Sequence, residues 1–363
     1  MIKLMISAVI MAGGKGERFW PKSRKKQPKQ LLKLTNDDKT MIQLTVDRIE
    51  KLVDSNNIFI ATVEDYAHPI NSQLPQVPKQ NILVEPMGKN TAACIGLAAV
   101  HIAKKDPDAV MLVLPSDHLI KNNEKFIDVL KTAKEVAEQG ENLVTIGIRP
   151  QYPETGYGYI NFEEKIDSIN GNDVLKVNRF VEKPDKETAK KYLESGKYLW
   201  NSGMFAWKVS TILKCMEMYM PELYKGLMKI KEAIGTDKEE EVLCSEYSKF
   251  ESISIDYGIM EKAESIFVIP GDFGWDDVGS WTSLERINNP DKEGNVVKGD
   301  NVITLDTKKC IIEGSNKLIA TIGVEDLVIV DTDDATLICS KEKSQQVKNL
   351  LKKIKIMKKE NYL

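Results

Sequence analysis

"VIMAGGKGERFWPKSRKKQPKQ", Val9 to Gln30, decides the fold class. The apolar run Ser7 to Ala12 reads as a buried strand that delivers the backbone to Gly13, Gly14 and Gly16. With no side chains there, consecutive N–H groups can close on an anion. Arg18, Lys22, Arg24 and Lys29 follow directly. Spacing excludes two familiar phosphate loops. G-x-x-x-x-G-K-[ST] is absent, and G-x-G-x-x-G fails because Phe19 stands where its last glycine belongs. In isolation the stretch is at least as often a tight strand-to-helix turn followed by a solvated charge run.

The rhythm continues outward from it. Ile58 to Val63, Val110 to Leu114 and Val144 to Ile148 are short apolar runs, alternating with amphipathic segments such as Thr40 to Leu52 and Phe126 to Glu138. That alternation predicts an α/β fold on a largely parallel sheet. Thr91 to Ala103 is apolar nearly all round and predicts a helix inside the protein. After about Asn295 the pattern changes to "VITLD", "CIIEG", "LIATIG", "LVIVD" and "TLICS", with no helical stretch between them. A β-solenoid and a β-meander fit that spacing equally well. Val347, Leu350, Leu351 and Ile354 then line one face of a closing helix. Its "LLKKIKIMKK" has a membrane-surface reading, but the solvated face of a packed helix is the simpler one.

Composition narrows the classes of partner. In 363 residues, 51 Lys+Arg against 54 Asp+Glu leave a net charge of -3, so no global field draws nucleic acid or an anionic membrane. No apolar run approaches the roughly 20 residues of a membrane span. Cys94, Cys215, Cys244, Cys310 and Cys339 include no C-x-x-C pair, and most sit beside aliphatic residues as free thiols do. A reducing, cytoplasmic setting is expected.

Three further stretches carry candidate chemistry. In "EPMGKNTAA", Glu85 to Ala93, Lys89 precedes the buried helix, with Asn90 or Thr91 as its N-cap. A cation at that end is unfavourable by up to about 1 kcal/mol unless an anion reverses the sign. The alternative is a lysine extended into water. In "VMLVLPSDHLI", Val110 to Ile120, Asp117 stands just past a strand's carboxyl end, where open α/β sheets bind ligands, and is a candidate Mg²⁺ ligand. His118 reads more readily as a structural hydrogen-bonding residue than as a base. "FGWDDVGSW", Phe273 to Trp281, sets Asp276 and Asp277 among bulky apolar residues, which suits a bound cation or polyol better than a surface loop. "TGYGYI", "FVEKP", "WNSGMF" and "ISIDYGIMEK" have the composition of a pocket that reads hydroxyls.

Taken in order from Val9 to Trp281, these motifs closely resemble the mannose-1-phosphate guanylyltransferase (GDP-mannose pyrophosphorylase) family: A-G-G-x-G-x-R-x-W-P-x-S-R with P-K-Q, E-P-x-x-K-N-T, L-P-S-D-H, T-G-Y-G-Y-I, V-E-K-P, W-N-S-G-M-F, D-Y-x-x-M-E-K and G-W-x-D-V-G-S-W. The resemblance implies a Rossmann-like, mixed and mostly parallel sheet flanked by helices over residues 1–290. It implies a short left-handed β-helix-like domain with a terminal helix over 291–363. The implied reaction joins GTP and mannose 1-phosphate, with Mg²⁺, and releases pyrophosphate. No Ser, Cys or His nucleophile is needed, because the sugar phosphate is itself the nucleophile.

The roles carried over follow the motifs. The resemblance puts Gly13, Gly14, Gly16, Arg18 and Lys29 on the triphosphate, the last two stabilising charge during attack. Glu85, Lys89, Asn90 and Ser116 go to the nucleotide, and Gly156, Glu182, Lys183 and Asn201 to the sugar phosphate. Asp117 and Asp277 go to the metal, although Asp276 stands where the family commonly has serine, so the choice between Asp276 and Asp277 stays open. Ala93 stands where proline often follows K-N-T-A, a harmless change. A homodimer is implied through the β-helix, with no nucleic acid or membrane partner. Some family members continue into a histidine-rich isomerase; with only His68, His101 and His118, none is expected here.

Overall fold

In the computed structural model, which describes residues 4–35 and 37–363, the opening apolar run forms the strand Ile6–Met11, with Ala8, Val9 and Ile10 fully buried. Two compact units share the chain. One comprises residues up to Gly13, Val46–Ser116 and Ile120–Trp275; the other comprises Gly14–Thr45, Asp117–Leu119 and Asp276–Leu363.

The first unit is built on a sheet of nine strands among the described residues. Their order is 82–85, 58–63, 6–11, 110–115, 198–208, 143–148, 266–271, 172–181 and 159–169. Ile6–Met11 pairs in parallel with Ile58–Val63 and Val110–Pro115, in the register Val9 to Phe59 and to Val113. Near-continuous Val, Ile and Leu suit strands covered on both faces. Only Asn172–Val181 and Tyr198–Lys208 run against the rest, the latter inserted between Val110–Pro115 and Leu143–Ile148. The mostly parallel sheet expected from the sequence is therefore present. The hairpin of Tyr159–Ile169 and Asn172–Val181 turns at Asn170 and Gly171, with φ of 52° and 78°. Two successive positive φ values define the turn that matches strand twist, and Asn-Gly reaches it at least cost.

The helix Asn90–Lys105 buries eleven residues, including Ala92, Ile95, Ala99 and Ile102, in the core of this unit. It starts one residue earlier than expected, with Lys89 as its N-cap and no side-chain cap. Asn90 instead adopts a left-handed φ of 66° and accepts the Thr91 N–H at 2.8 Å. Asparagine tolerates that region better than most residues.

In the second unit, Val296–Lys298, Ile311–Glu313 and Leu327–Asp331 stack in parallel, as do Val302–Leu305 and Ile319–Ile322. A meander would be antiparallel throughout, so the solenoid reading holds. Thr336–Ser340 closes the stack antiparallel to Leu327–Asp331. The helix Val347–Ile356 packs Val347, Leu351 and Ile354 on a cluster with Phe19, Trp20, Trp281 and Val330. Leu350, expected on that face, is instead 36% exposed. No described helix is long and apolar enough to cross a membrane.

Candidate active site

Within the second unit a cavity of about 400 Å³ is lined by Lys15, Gly16, Glu17, Arg18, Phe19 and Lys29 from the opening stretch. Asp117, His118, Asp277, Gly279 and Lys348 complete the wall. The fold thus brings together five of the expected residues: Gly16, Arg18, Lys29, Asp117 and Asp277.

Local structure explains how they are held. Phe19 and Trp281 are buried with ring centroids 5.1 Å apart, and Trp281 Nε1 donates to the Trp20 carbonyl at 3.1 Å. Their packing fixes the short turn Glu17–Phe19 that presents Arg18. The Arg18 guanidinium donates weakly, at 3.4 Å, to the Gly279 carbonyl, while its Nε is buried without a partner. A buried, unsatisfied charged donor costs stability, and an anionic oxygen in the cavity would satisfy it.

Lys29 is only 5% exposed. Its ammonium lies 2.8 Å from Asp117 Oδ2, donates to the Asp277 carbonyl at 2.7 Å, and sits 5.8 Å from the centre of the Phe19 ring. Burial alone would raise the Asp117 carboxyl, but Lys29 beside it holds the acid below its ordinary value, so Asp117 is a carboxylate at neutral pH. Burial pushes the neighbouring His118 down, against the pull of Asp117. His118 lines the cavity.

The loop Asp276–Gly279 separates the two adjacent acids. Asp276 receives Arg286 at 2.6 and 3.1 Å through two nitrogens and also accepts the Val278 N–H at 2.8 Å. Asp277 instead lines the cavity, accepting the Gly279 N–H at 3.2 Å. Directly after them Val278, fully buried, holds a φ of 46°. For a β-branched residue that conformation costs about 1–3 kcal/mol and persists because the surroundings enforce it, a pattern common at functional sites.

Among the described residues no group of three or more His, Cys, Asp and Glu could hold a metal. Two carboxylates on one wall nevertheless suit a hard divalent cation that takes its remaining oxygens from substrate phosphates. The donor set fits Mg²⁺ on those terms.

The other expected residues lie in the first unit, except Gly14, which belongs to the second but stays outside the cavity lining. Gly13 follows the strand Ile6–Met11, so close to Glu85 that an added Cβ would meet Glu85 Oε2 at 3.4 Å. Glu85 is 4% exposed and accepts the Tyr247 hydroxyl; burial raises its carboxyl, and hydrogen bonds from Tyr247 and Cys94 oppose that. Lys89 donates to the Ser248 carbonyl at 2.9 Å, close to Asn90 at the start of the buried helix. Ser116, nearly buried, donates its N–H to the Met11 carbonyl at 3.2 Å.

The sugar-phosphate candidates cluster by themselves. Asn201 donates its N–H to the Gly158 carbonyl at 2.8 Å and its side-chain amide to Asp256 at 2.7 Å. Glu182 pairs with Lys183 and approaches Gly158 so closely that a Cβ there would fall 2.4 Å from Glu182 Oε2. Gly156 donates its N–H to Glu154 at 2.8 Å. Tyr152, Tyr157 and Trp275 surround Trp200, with ring centroids 4.9 to 6.5 Å apart. Burial and then repulsion from Glu182 raise both Asp256 and Glu261. Asp256 was legible only as part of a quoted motif. Lys348 and Arg286 had no local signal, since each is one basic residue on an ordinary helical stretch.

Comparison with known proteins divides the chain along its length, so that most of the cavity lining falls within the first of two family matches. A family model described as nucleotidyl transferase matches residues 7–294, and one described as a MannoseP isomerase/GMP-like beta-helix domain matches 300–354. The chain is 40% identical over 366 residues to mannose-1-phosphate guanylyltransferase 2 of Escherichia coli O157:H7, covering 99% of this chain and 75% of that protein. A crystal structure described as mannose-1-phosphate geranyltransferase from Thermus thermophilus superposes with a TM-score of 0.86 at 34% identity, covering 97% of this chain and all of that one (100%). One described as mannose-6-phosphate isomerase from Helicobacter pylori gives a TM-score of 0.59 at 26% identity, over 75% of this chain and 100% of that one.

Proposed function

This chain belongs to the nucleotidyl transferase family, and on that premise we propose that it transfers GMP from GTP to α-D-mannose 1-phosphate, giving GDP-mannose and pyrophosphate. The observation that carries the reading is the cavity in which Arg18, with its unsatisfied buried Nε, and Lys29 face Asp117 and Asp277. The names of the relatives supply the sugar and the base.

In the reaction an oxygen of the sugar phosphate attacks the α-phosphorus in line. The new O–P bond forms as the bond to the bridging oxygen breaks, and pyrophosphate leaves with that electron pair. Arg18 and Lys29 stabilise negative charge on the transferring group, and the loop around Gly13, Gly14 and Gly16 offers N–H groups to the triphosphate. Glu85, Lys89, Asn90 and Ser116 attend the nucleotide. Gly156, Glu182, Lys183 and Asn201 attend the sugar phosphate, joined by Asp256 through its bond to Asn201. Asp117 and Asp277, with Asp276 committed to Arg286, would hold Mg²⁺. That ion, when bound, neutralises phosphate charge and orients the reacting groups.

The enzyme is proposed to act in the cytoplasm as a homodimer. Ile303, Leu305 and Ile322 are 57% to 70% exposed on the paired strands Val302–Leu305 and Ile319–Ile322, an apolar face that a second copy would cover. Ile322→Lys should convert a dimer to a monomer in sedimentation.

Pyrophosphate release measured for the four NTPs against mannose, glucose, fucose and heptose 1-phosphates, with Mg²⁺, tests the reaction. GTP with mannose 1-phosphate should dominate. Preference for another pair would establish the alternative, a nucleotidyltransferase of different specificity; release from no pair would refute the reading. Formation of a ketose phosphate from mannose 6-phosphate, followed in a separate assay without NTP, tests the expectation that the chain isomerises no sugar phosphate.

A further inference from the structure

The helix Val347–Ile356 reads from its sequence as a closing element of the solenoid. Its packing gives it a second role. Val347 is 3% exposed, and Leu351 and Ile354 lie on the cluster that holds Phe19, Trp20 and Trp281. Trp20 Nε1 donates to the Tyr362 carbonyl at 2.7 Å, and Arg24 donates to the same oxygen at 2.9 Å. The stretch after the solenoid is thereby fastened to the turn that presents Arg18. Lys348, next to the anchor Val347, is carried to the wall of the cavity.

Charge gives that position a purpose. The other ionised groups on the wall balance, with Lys15, Arg18 and Lys29 against Glu17, Asp117 and Asp277. Lys29 is further committed to Asp117 at 2.8 Å, which lowers the positive charge it can offer. Lys348 alone makes the lining net cationic, and a lysine binds phosphate as a mobile point charge. The unsatisfied Arg18 Nε on the same wall independently calls for an anion.

We propose that Lys348 is a phosphate-binding residue of the nucleotide pocket, which holds the polyphosphate chain from the helix that follows the solenoid. This rests on the nucleotide-binding reading of the cavity. It makes the C-terminal segment part of the substrate site.

The test uses the full chain and inorganic pyrophosphate in magnesium buffer, with affinity read by calorimetry. Lys348→Ala should weaken pyrophosphate and GTP binding by about five- to tenfold, the scale of one partly exposed charge-assisted contact. Lys348→Arg should restore most of the loss. Lys353→Ala, which removes an equal charge elsewhere on the helix, should leave affinity unchanged. The KM for mannose 1-phosphate should stay within about twofold, since a nucleotide-side contact does not touch the sugar phosphate. Lys348→Ala that binds pyrophosphate like the wild type overturns the proposal, as does an equal loss in Lys353→Ala or an equal rise in both KM values. The two readings fail separately. Pyrophosphate binding that depends on Lys348 in a protein forming no nucleotide sugar would refute the proposed reaction alone. Turnover of GTP and mannose 1-phosphate that ignores Lys348 would refute this role alone.

Discussion

Gly16→Ala should damage this protein twice, through its backbone and through Lys29. Gly16 has a φ of 61°, where an L side chain costs about 1–2 kcal/mol. An added Cβ would also lie 2.3 Å from Lys29 Cβ and 2.6 Å from Lys29 N. Those atoms are backbone and its first side-chain carbon, so no rotamer change relieves the overlap, and overpacking of that kind costs about 1–3 kcal/mol. Together the two effects predict a loss of roughly 2–5 kcal/mol, a large share of the 5–15 kcal/mol by which a domain is stable. What must move is Lys29, whose ammonium lies 2.8 Å from Asp117 Oδ2 and 2.7 Å from the Asp277 carbonyl. A shift of about 1 Å in such a group can lower turnover by about 100-fold. Urea denaturation followed by tryptophan fluorescence measures the first effect, and pyrophosphate release by the folded variant measures the second. Gly14→Ala is the control for stability, because no heavy atom lies within 4 Å of the added Cβ. Gly16→Ala within about 0.5 kcal/mol of the wild type, the range of neutral surface changes, and with full turnover would refute the close packing of Gly16 on Lys29.

Two other tests address different parts of the molecule. Asp276→Ala leaves Arg286 and the Val278 N–H without their acceptor and should cost about 2–3 kcal/mol in urea denaturation. Asp277→Asn should instead keep most of the stability and lower divalent-ion-dependent turnover by about 100-fold or more; reversed phenotypes would move the metal role to Asp276. His101 concerns stability against pH. Burial, helped by Lys105 and Lys104 and opposed by Glu239, pushes its pKa from 6.5 to about 4. Above pH 6.5 the imidazole is neutral in both states and contributes nothing to the slope. As pH falls from 6.5 towards 4 the unfolded chain binds a proton that the folded one refuses, so stability is lost. At about 1.4 kcal/mol per pH unit the loss approaches 3 kcal/mol. His101→Gln should flatten that limb of the urea midpoint against pH, and an unchanged slope would show that His101 is protonated in the folded state.

Much of the first unit was legible because its strands are covered on both faces. Ser7 to Ala12, Ile58 to Val63, Val110 to Leu114 and Val144 to Ile148 coincide with strands to within a residue or so. The long antiparallel strands were less so. Tyr159–Ile169 is buried only at its first two residues and then turns mostly exposed, so it carries no periodic signal, although Asn170-Gly171 marks its hairpin plainly. The insertion of Tyr198–Lys208 between two parallel strands joins residues far apart in the chain, which no local pattern encodes.

At the site the division is sharper. By itself the sequence determined which residue types were available and in what order: a glycine turn after a buried strand, cations behind it, and acids at strand ends. Those follow from local backbone preference and the period of burial. Tertiary structure alone decided which groups meet. It committed Asp276 to Arg286 and left Asp277 on the cavity wall, set Lys29 against Asp117, and carried Lys348 to the wall beside Arg18. Adjacent aspartates are equivalent in a sequence, and a lysine on a helix is ordinary there. Charges act through distances of a few ångströms in a low-dielectric wall, and only packing around Phe19, Trp281 and Val347 sets those distances.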